Sequence, residues 1–279
     1  MLVVVGLACQ EAGAALAVLL FPEVGPLGMV MLRLVFSAVL LLLIARPSLR
    51  GHSRDGWLAV LGFGLVLALM NGLFYLALAR LPLGVTVTIE VLGPLVLSIV
   101  ASKRRSAWLW ALLAFAGVVA LAGGGCDRLD PLGVLFALGA AASWAFYILA
   151  SARVGREFPG LNGLALAMTV GALIALPFGI LSAGSALLRP DLLALGAAVA
   201  VLSSTIPYAL ELIALRRLPA AVFAILLSLA PATAALAGWL LLGQELTWLE
   251  LVGIALVITA SIGAVRSSNR AASRSTPLA

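Results

Sequence analysis

Four ionisable side chains lie inside stretches that are otherwise apolar: Glu11, Arg33, Glu90 and Glu211. At the centre of a membrane helix such a residue costs roughly 2.5–3.5 kcal/mol to insert, so its retention is a sign of binding or coupling. Glu90 carries the most chemistry. Pro94 follows four residues later and has no N–H to offer the Glu90 carbonyl, so a carboxylate and an unpaired carbonyl oxygen share one place. Such a carboxylate can alternate between a proton and the ammonium group of a substrate. Pro231 interrupts a later apolar segment in the corresponding way, and matched interruptions mark the site in many carriers. The plainer alternative is that both prolines are tolerated kinks and that Glu90 pairs with Arg33.

Glu11 and Arg33 fall on consecutive antiparallel segments, roughly 11–15 Å below their outer ends at 1.5 Å per residue, where long side chains can meet. They form a structural ion pair in one reading; in the other, Glu11 lines a pathway. Glu211 is near enough to Arg216 to reach the cytoplasmic interface, and is either an inner gate or an interfacial carboxylate.

What is missing narrows the chemistry further. The single lysine, Lys103, has neither the glycines before it nor the hydroxyl residue after it that a phosphate-binding loop needs. The single histidine, His52, stands in a polar stretch with Arg50, Arg54 and Asp55, away from any apolar serine or cysteine that it could activate. Cys9 and Cys126 belong to different depths and cannot meet disulfide geometry. No catalytic residue, metal site or cofactor is expected. An intramembrane lipid enzyme would need acid, base and nucleophile at one depth, and this chain offers scattered carboxylates. A channel or structural subunit has no evident use for paired proline breaks.

The elements that must position these residues are membrane helices. Of 279 residues 64% are hydrophobic and 10% charged, with a mean hydropathy of +1.22; a soluble domain is about half apolar and about a quarter charged. Apolar segments run at about 2–21, 26–45, 56–79, 83–101, 106–123, 131–151, 160–181, 191–214, 219–242 and 247–265. Each is close to the roughly 20 residues of one crossing. Leu, Ala and Gly dominate without alternation, which excludes barrel strands. The first segment has no basic stretch before it and reads as a retained span, not a signal peptide.

With both termini inside, Arg46, Arg50, Arg54, Lys103 to Arg105, Arg153, Arg156, Arg216, Arg217, Arg266, Arg270 and Arg274 are cytoplasmic. Only Arg80, Arg128 and Arg189 are then outside. That asymmetry fits ten crossings and explains the net charge of +6 without nucleic acid as a partner. The tail 267–279, rich in Arg and Ser, is expected to be a disordered electrostatic anchor on the bilayer.

An internal repeat organises the spans. Leu81-Pro82 and Leu218-Pro219 lie 137 residues apart, as do Gly93-Pro94 and Ala230-Pro231. Two five-helix halves follow, 1–126 and 127–266, and because five is odd they cross in opposite senses. Inverted repeats are characteristic of secondary transporters, whose halves rock about a central site. Asn71 and Tyr208 are also 137 apart, and a cavity at the two breaks would collect Asn71, Tyr75, Glu90 and Tyr208. Five tryptophans, Trp57, Trp108, Trp110, Trp239 and Trp248, fall near segment ends, as an aromatic belt requires. Trp144 falls inside a span and is either a cavity wall or plain packing.

On the stretches Met70-Asn71-Gly72-Leu73-Phe74-Tyr75-Leu76, Leu81-Pro82-Leu83-Gly84, Glu90-Val91-Leu92-Gly93-Pro94, Ala142 to Leu149, Pro207-Tyr208-Ala209-Leu210-Glu211 to Leu215 and Leu242-Gly243-Gln244-Glu245, the chain resembles the drug/metabolite transporter superfamily, EamA type. Within it, the likeness is to inner-membrane threonine and homoserine exporters, and it extends over nearly the whole chain. The resemblance implies a multi-pass protein of the bacterial cytoplasmic membrane that exports small neutral amino acids by proton exchange, with alternating access between the halves. It implies Asn71, Glu90, Trp144, Tyr208 and Glu211 as pathway residues, and admits a homodimer. The chain departs from the family at Glu11, where an uncharged polar residue is usual. The neighbouring alternative is an exporter of other metabolites or amphipathic drugs.

Overall fold

The computed structural model describes residues 2–102, 105–123, 129–207, 210 and 225–275, and among them every regular element is helical. In chain order these are α1 (Leu2–Ala45), α2 (Arg54–Leu78), α3 (Leu83–Glu90), α4 (Leu92–Ser102), α5 (Arg105–Gly123), α6 (Pro131–Glu157), α7 (Asn162–Ala183), α8 (Pro190–Ala200), α9 (Ala230–Leu242) and α10 (Trp248–Ser275). A 3₁₀ turn, Gly184–Leu188, precedes α8, and a π turn, Val201–Thr205, follows it. Seven described stretches are long and apolar enough to cross a membrane, while Trp108–Leu121 and Pro190–Thr205 are apolar but shorter.

α1 has 44 residues, about 66 Å at 1.5 Å per residue, or twice the roughly 30 Å hydrocarbon core of a bilayer. It bends at Gly25, whose φ of 69° and ψ of 163° suit only a residue without a Cβ. A Cβ there would also strike Ser182 Oγ. That hydroxyl donates to the Val24 carbonyl at 3.2 Å. The two segments expected at 2–21 and 26–45 are therefore joined helically, with glycine rather than Pro22 or Pro26 supplying the bend.

Local signals start the other helices. Ser53 accepts from the Gly56 N–H at 2.9 Å to open α2, and Asp130 accepts from the Leu132 N–H at 2.9 Å ahead of Pro131 to open α6. At α10, Thr247 Oγ1 accepts from the Glu250 N–H at 3.3 Å. Glu250 Oε2 in turn accepts from the Thr247 N–H at 2.6 Å, a reciprocal capping box.

α1 packs along α7 and α8, α2 between α6 and α7, and α5 along α10. α3 lies on α9, and Gln244 Oε1, just beyond α9, accepts from the Leu83 N–H at 2.9 Å. One buried core, including Met29, Leu34, Tyr75, Leu83, Val87 and Ala234, runs through these contacts. Large apolar side chains such as Leu43, Val100, Phe115 and Leu181 point outward, as they do where lipid replaces water.

The expected boundaries shift at two places. α6 continues past residue 151 to Glu157 and ends where Phe158 donates to the Val154 carbonyl at 2.9 Å; there Phe158 stacks on His52, with ring centroids 4.2 Å apart. The tail, expected to be disordered, is helical through Ser275. Alanine and arginine favour helix there. The tryptophans also divide. Trp108, Trp239 and Trp248 are exposed like belt residues. Trp57 sits edge-on to Phe158, and Trp110 donates to Ser267 Oγ at 3.2 Å.

Candidate functional site

The segment 83–101 is broken where Pro94 predicts. α3 ends at Glu90, Val91 forms a turn, and α4 begins at Leu92. Gly93 makes the break possible from the outside too, since a Cβ on it would fall on the Ala141 carbonyl oxygen of α6. The segment 219–242 is broken as well: residues 225–227 are helical, Ser228 and Leu229 form a turn, and α9 starts at Ala230. Val91 and Ser228 are 137 residues apart, the offset that separates Pro94 from Pro231.

Between these breaks lies a cavity of ≈ 570 Å³. α1 contributes Gln10, Glu11 and Arg33 to its wall, α2 Asn71 and Phe74, and the α3–α4 break Glu90, Val91 and Pro94. Trp144 and Tyr147 come from α6, Ser228 from the second break, and Ser261 and Val265 from α10. The space extends along α4, α6 and α10 to Ser98, Ile148 and Val265. On the other side of the Glu90 level, α3 and α9 are packed together and joined by Gln244.

Charge is concentrated in this wall. Glu11 is 2% exposed, and its Oε2 has no hydrogen-bond partner among the described residues. Arg33 is half-buried. Its Nε donates to Ser204 Oγ at 3.2 Å, Nη1 to the Tyr75 hydroxyl at 3.4 Å, and Nη2 to the Ser203 carbonyl at 3.1 Å. The guanidinium and both carboxylates, Glu11 and Glu90, line the same cavity. Arg33 thus links α1 to the π turn after α8, in a segment where a widened helix presents its backbone.

Of the predicted residues, Glu11, Arg33, Asn71, Glu90, Pro94 and Trp144 share this wall. Asn71 is 5% exposed and its Nδ2 donates to the Leu67 carbonyl at 2.8 Å. Tyr75 is fully buried; it stands behind Arg33, with the guanidinium 5.7 Å from its ring centre, and edge-on to Phe21. Pro231 is buried in the first turn of α9, and its neighbour Ala230 reaches the wall. Tyr208 and Glu211 lie outside the described residues. Gln10, Ser98, Tyr147, Ser228 and Ser261 line the cavity without having been singled out. Ser228 was accessible through the 137-residue offset; the others have neutral side chains, which cost too little in a helix to stand out.

Fold and cavity together define a multi-pass helical membrane protein with interrupted helices converging on a charged cavity, the arrangement of a small-molecule carrier. The profile of the EamA-like transporter family matches residues 131–266. The threonine/homoserine exporter RhtA of Escherichia coli (strain K12) is 40% identical over 264 residues, 94% of this chain and 89% of its own. RhtA of Salmonella typhimurium (strain SL1344) is 38% identical over 272 residues, 97% of this chain and 92% of its own. The uncharacterised transporter YwfM of Bacillus subtilis (strain 168) is 29% identical over 243 residues, covering 84% of this chain and 82% of its own. A solved crystal structure, 20% identical, superposes with a TM-score of 0.64 over 97% of both chains, which shows a common fold. The chain belongs to the EamA-like transporter family and is a multi-pass protein of the bacterial inner membrane.

Proposed function

We propose that the protein is a secondary active exporter of small neutral amino acids of the threonine and homoserine kind, driven by proton antiport. The observation that carries this reading is the pair of breaks at Val91 and Ser228, which face one cavity together with the Glu90 carboxylate. The bend in α1 divides it into two crossings; with the other long helices and the two shorter apolar ones, this supports ten spans. They form two inverted repeats, 1–126 and 127–266, with both termini in the cytoplasm.

Glu90 takes the substrate ammonium, and a proton when the substrate leaves; a zwitterion needs an anionic partner at one end and donors at the other. Asn71 and Tyr208 supply donors, Trp144 the apolar wall, and Tyr75 steadies Arg33 behind it. Glu11 and Glu211 join Glu90 in proton coupling or gating. In this arrangement the cavity faces the cytoplasm, since Ser98, Ile148 and Val265 occupy the inner ends of their spans. Access alternates when the α3–α9 contact and the Gln244 cap open on the other side. The relatives at 38–40% identity, which carry the name of threonine/homoserine exporters, support the substrate class.

The test is uptake of labelled threonine and homoserine into proteoliposomes with and without an imposed pH gradient. Saturable entry that follows the gradient and is lost in Glu90→Gln supports the reading. Gradient-independent transport, or full activity in Glu90→Gln, removes the proton role.

A further inference from the structure

Two carboxylates border the cavity, and a neutral amino acid has one ammonium group to offer them. Glu90 stands at the α3–α4 break and Glu11 on α1, and Arg33 is in the same wall. Among the described lining residues these are the only formal charges, so two anions face one cation across one space. Glu11 Oε2, on a side chain 2% exposed, lacks a donor among the described residues. A buried carboxylate oxygen without a donor is costly, and a ligand that brings one relieves it. The volume of ≈ 570 Å³ falls in the range that encloses drug-sized ligands, more than a four-carbon amino acid fills.

We propose that this site also takes diamino monocarboxylic acids of the lysine and ornithine type. The α-ammonium group rests at Glu90, the side-chain ammonium at Glu11, and the carboxylate faces Arg33. Among the described lining residues, the ligand's two positive charges and one negative charge then mirror two negative charges and one positive. Apolar groups of Leu7, Ala14 and Val87 in the same wall suit the methylene chain between the two ammonium groups. This inference rests on the amino-acid reading above and adds a second substrate class to the same cavity. It assigns Glu11 a role in selectivity.

The experiment is counterflow in proteoliposomes preloaded with unlabelled threonine, following entry of labelled threonine and labelled lysine separately. Wild-type protein should exchange both saturably, each inhibiting the other. In Glu11→Gln the ratio of lysine to threonine exchange should fall about ten- to hundredfold, the factor that a charge-assisted hydrogen bond contributes; Glu11→Asp should restore part of it. The stabilisation of detergent-solubilised protein by each ligand, read as a shift in Tm, covers a Glu11→Gln protein that no longer exchanges. There too, the lysine shift should shrink more than the threonine shift. Threonine exchange without lysine exchange in the wild type overturns the inference and leaves the amino-acid reading standing. Proportional loss of both ligands in Glu11→Gln overturns it as well, because Glu11 then acts on all substrates alike. Exchange of neither ligand by wild-type protein overturns the amino-acid reading and this inference with it.

Discussion

Replacing Arg33 separates an electrostatic role from a packing role. Arg33→Ala removes donors from Ser204 Oγ, the Tyr75 hydroxyl and the Ser203 carbonyl, which lie at 3.2, 3.4 and 3.1 Å. It also withdraws the one cation among the described residues of the cavity wall from Glu11 and Glu90. A hydrogen bond from a charged donor contributes about 1.5–3 kcal/mol; with Arg33 half-buried beside an open space, solvent screening holds the total for its three bonds to about 2–3 kcal/mol. At this chain length about 1 kcal/mol moves Tm by roughly 2–4 °C, so Arg33→Ala should melt roughly 4–12 °C lower in detergent. Arg33→Lys, which keeps the charge and loses the planar fork, should lose about half as much. Part of the Arg33→Ala loss is repulsion between two uncompensated carboxylates. Adding Glu11→Gln should therefore recover about 1–2 kcal/mol, and the double variant should melt above Arg33→Ala alone. The assay is a double-mutant cycle of Tm values on substrate-free protein. Additivity within about 0.5 kcal/mol would refute the electrostatic account and reduce Arg33 to its hydrogen bonds.

Three further outcomes follow from particular contacts. Gly93→Ala places a methyl on the Ala141 carbonyl, so it should cost about 1–3 kcal/mol as overpacking does, with a fall in transport, measured by melting and uptake on one preparation. Gln244→Ala leaves the Leu83 N–H of α3 uncapped; a Tm loss of a few degrees, matching about 1 kcal/mol for a lost cap, should accompany faster labelling of a cysteine placed at Leu83. Unchanged labelling would show that the cap does not hold this end closed. Glu250→Ala dissolves the capping box that opens α10 and should cost about 1 kcal/mol while threonine exchange by the folded fraction keeps its affinity.

The membrane class was legible because hydropathy is a local property: no arrangement of these residues could cover so much apolar surface in water. The Glu90 break was legible for a similar reason. Proline has no N–H whatever surrounds it, so Pro94 and Pro231 announce interrupted ladders from the sequence alone, and their common offset places the breaks at matching points. That Gly25 supplies the bend in α1 was not legible, because only the contact with Ser182 shows which residue takes the unusual dihedral angles. α10 runs on to Ser275, past the apolar boundary at 265, because composition alone does not mark where a helix rich in alanine, arginine and serine stops.

At the site, charged residues could be found one at a time, because a charge inside an apolar run costs enough to be noticed. Their company could not. That Arg33 reaches the π turn at Ser203 and Ser204, that Tyr75 stands behind the guanidinium, and that Gln10, Tyr147 and Ser261 join the wall all depend on how helices distant in sequence are rotated against one another. The sequence by itself determined helices, a membrane environment, paired interruptions and a handful of buried charges, since each follows from a local cost in free energy. Only the tertiary structure decided that Glu11, Glu90 and Arg33 surround one space, because helix rotation and crossing are set by close packing such as Gly93 on Ala141. Such packing sums many small contacts that no single residue reveals.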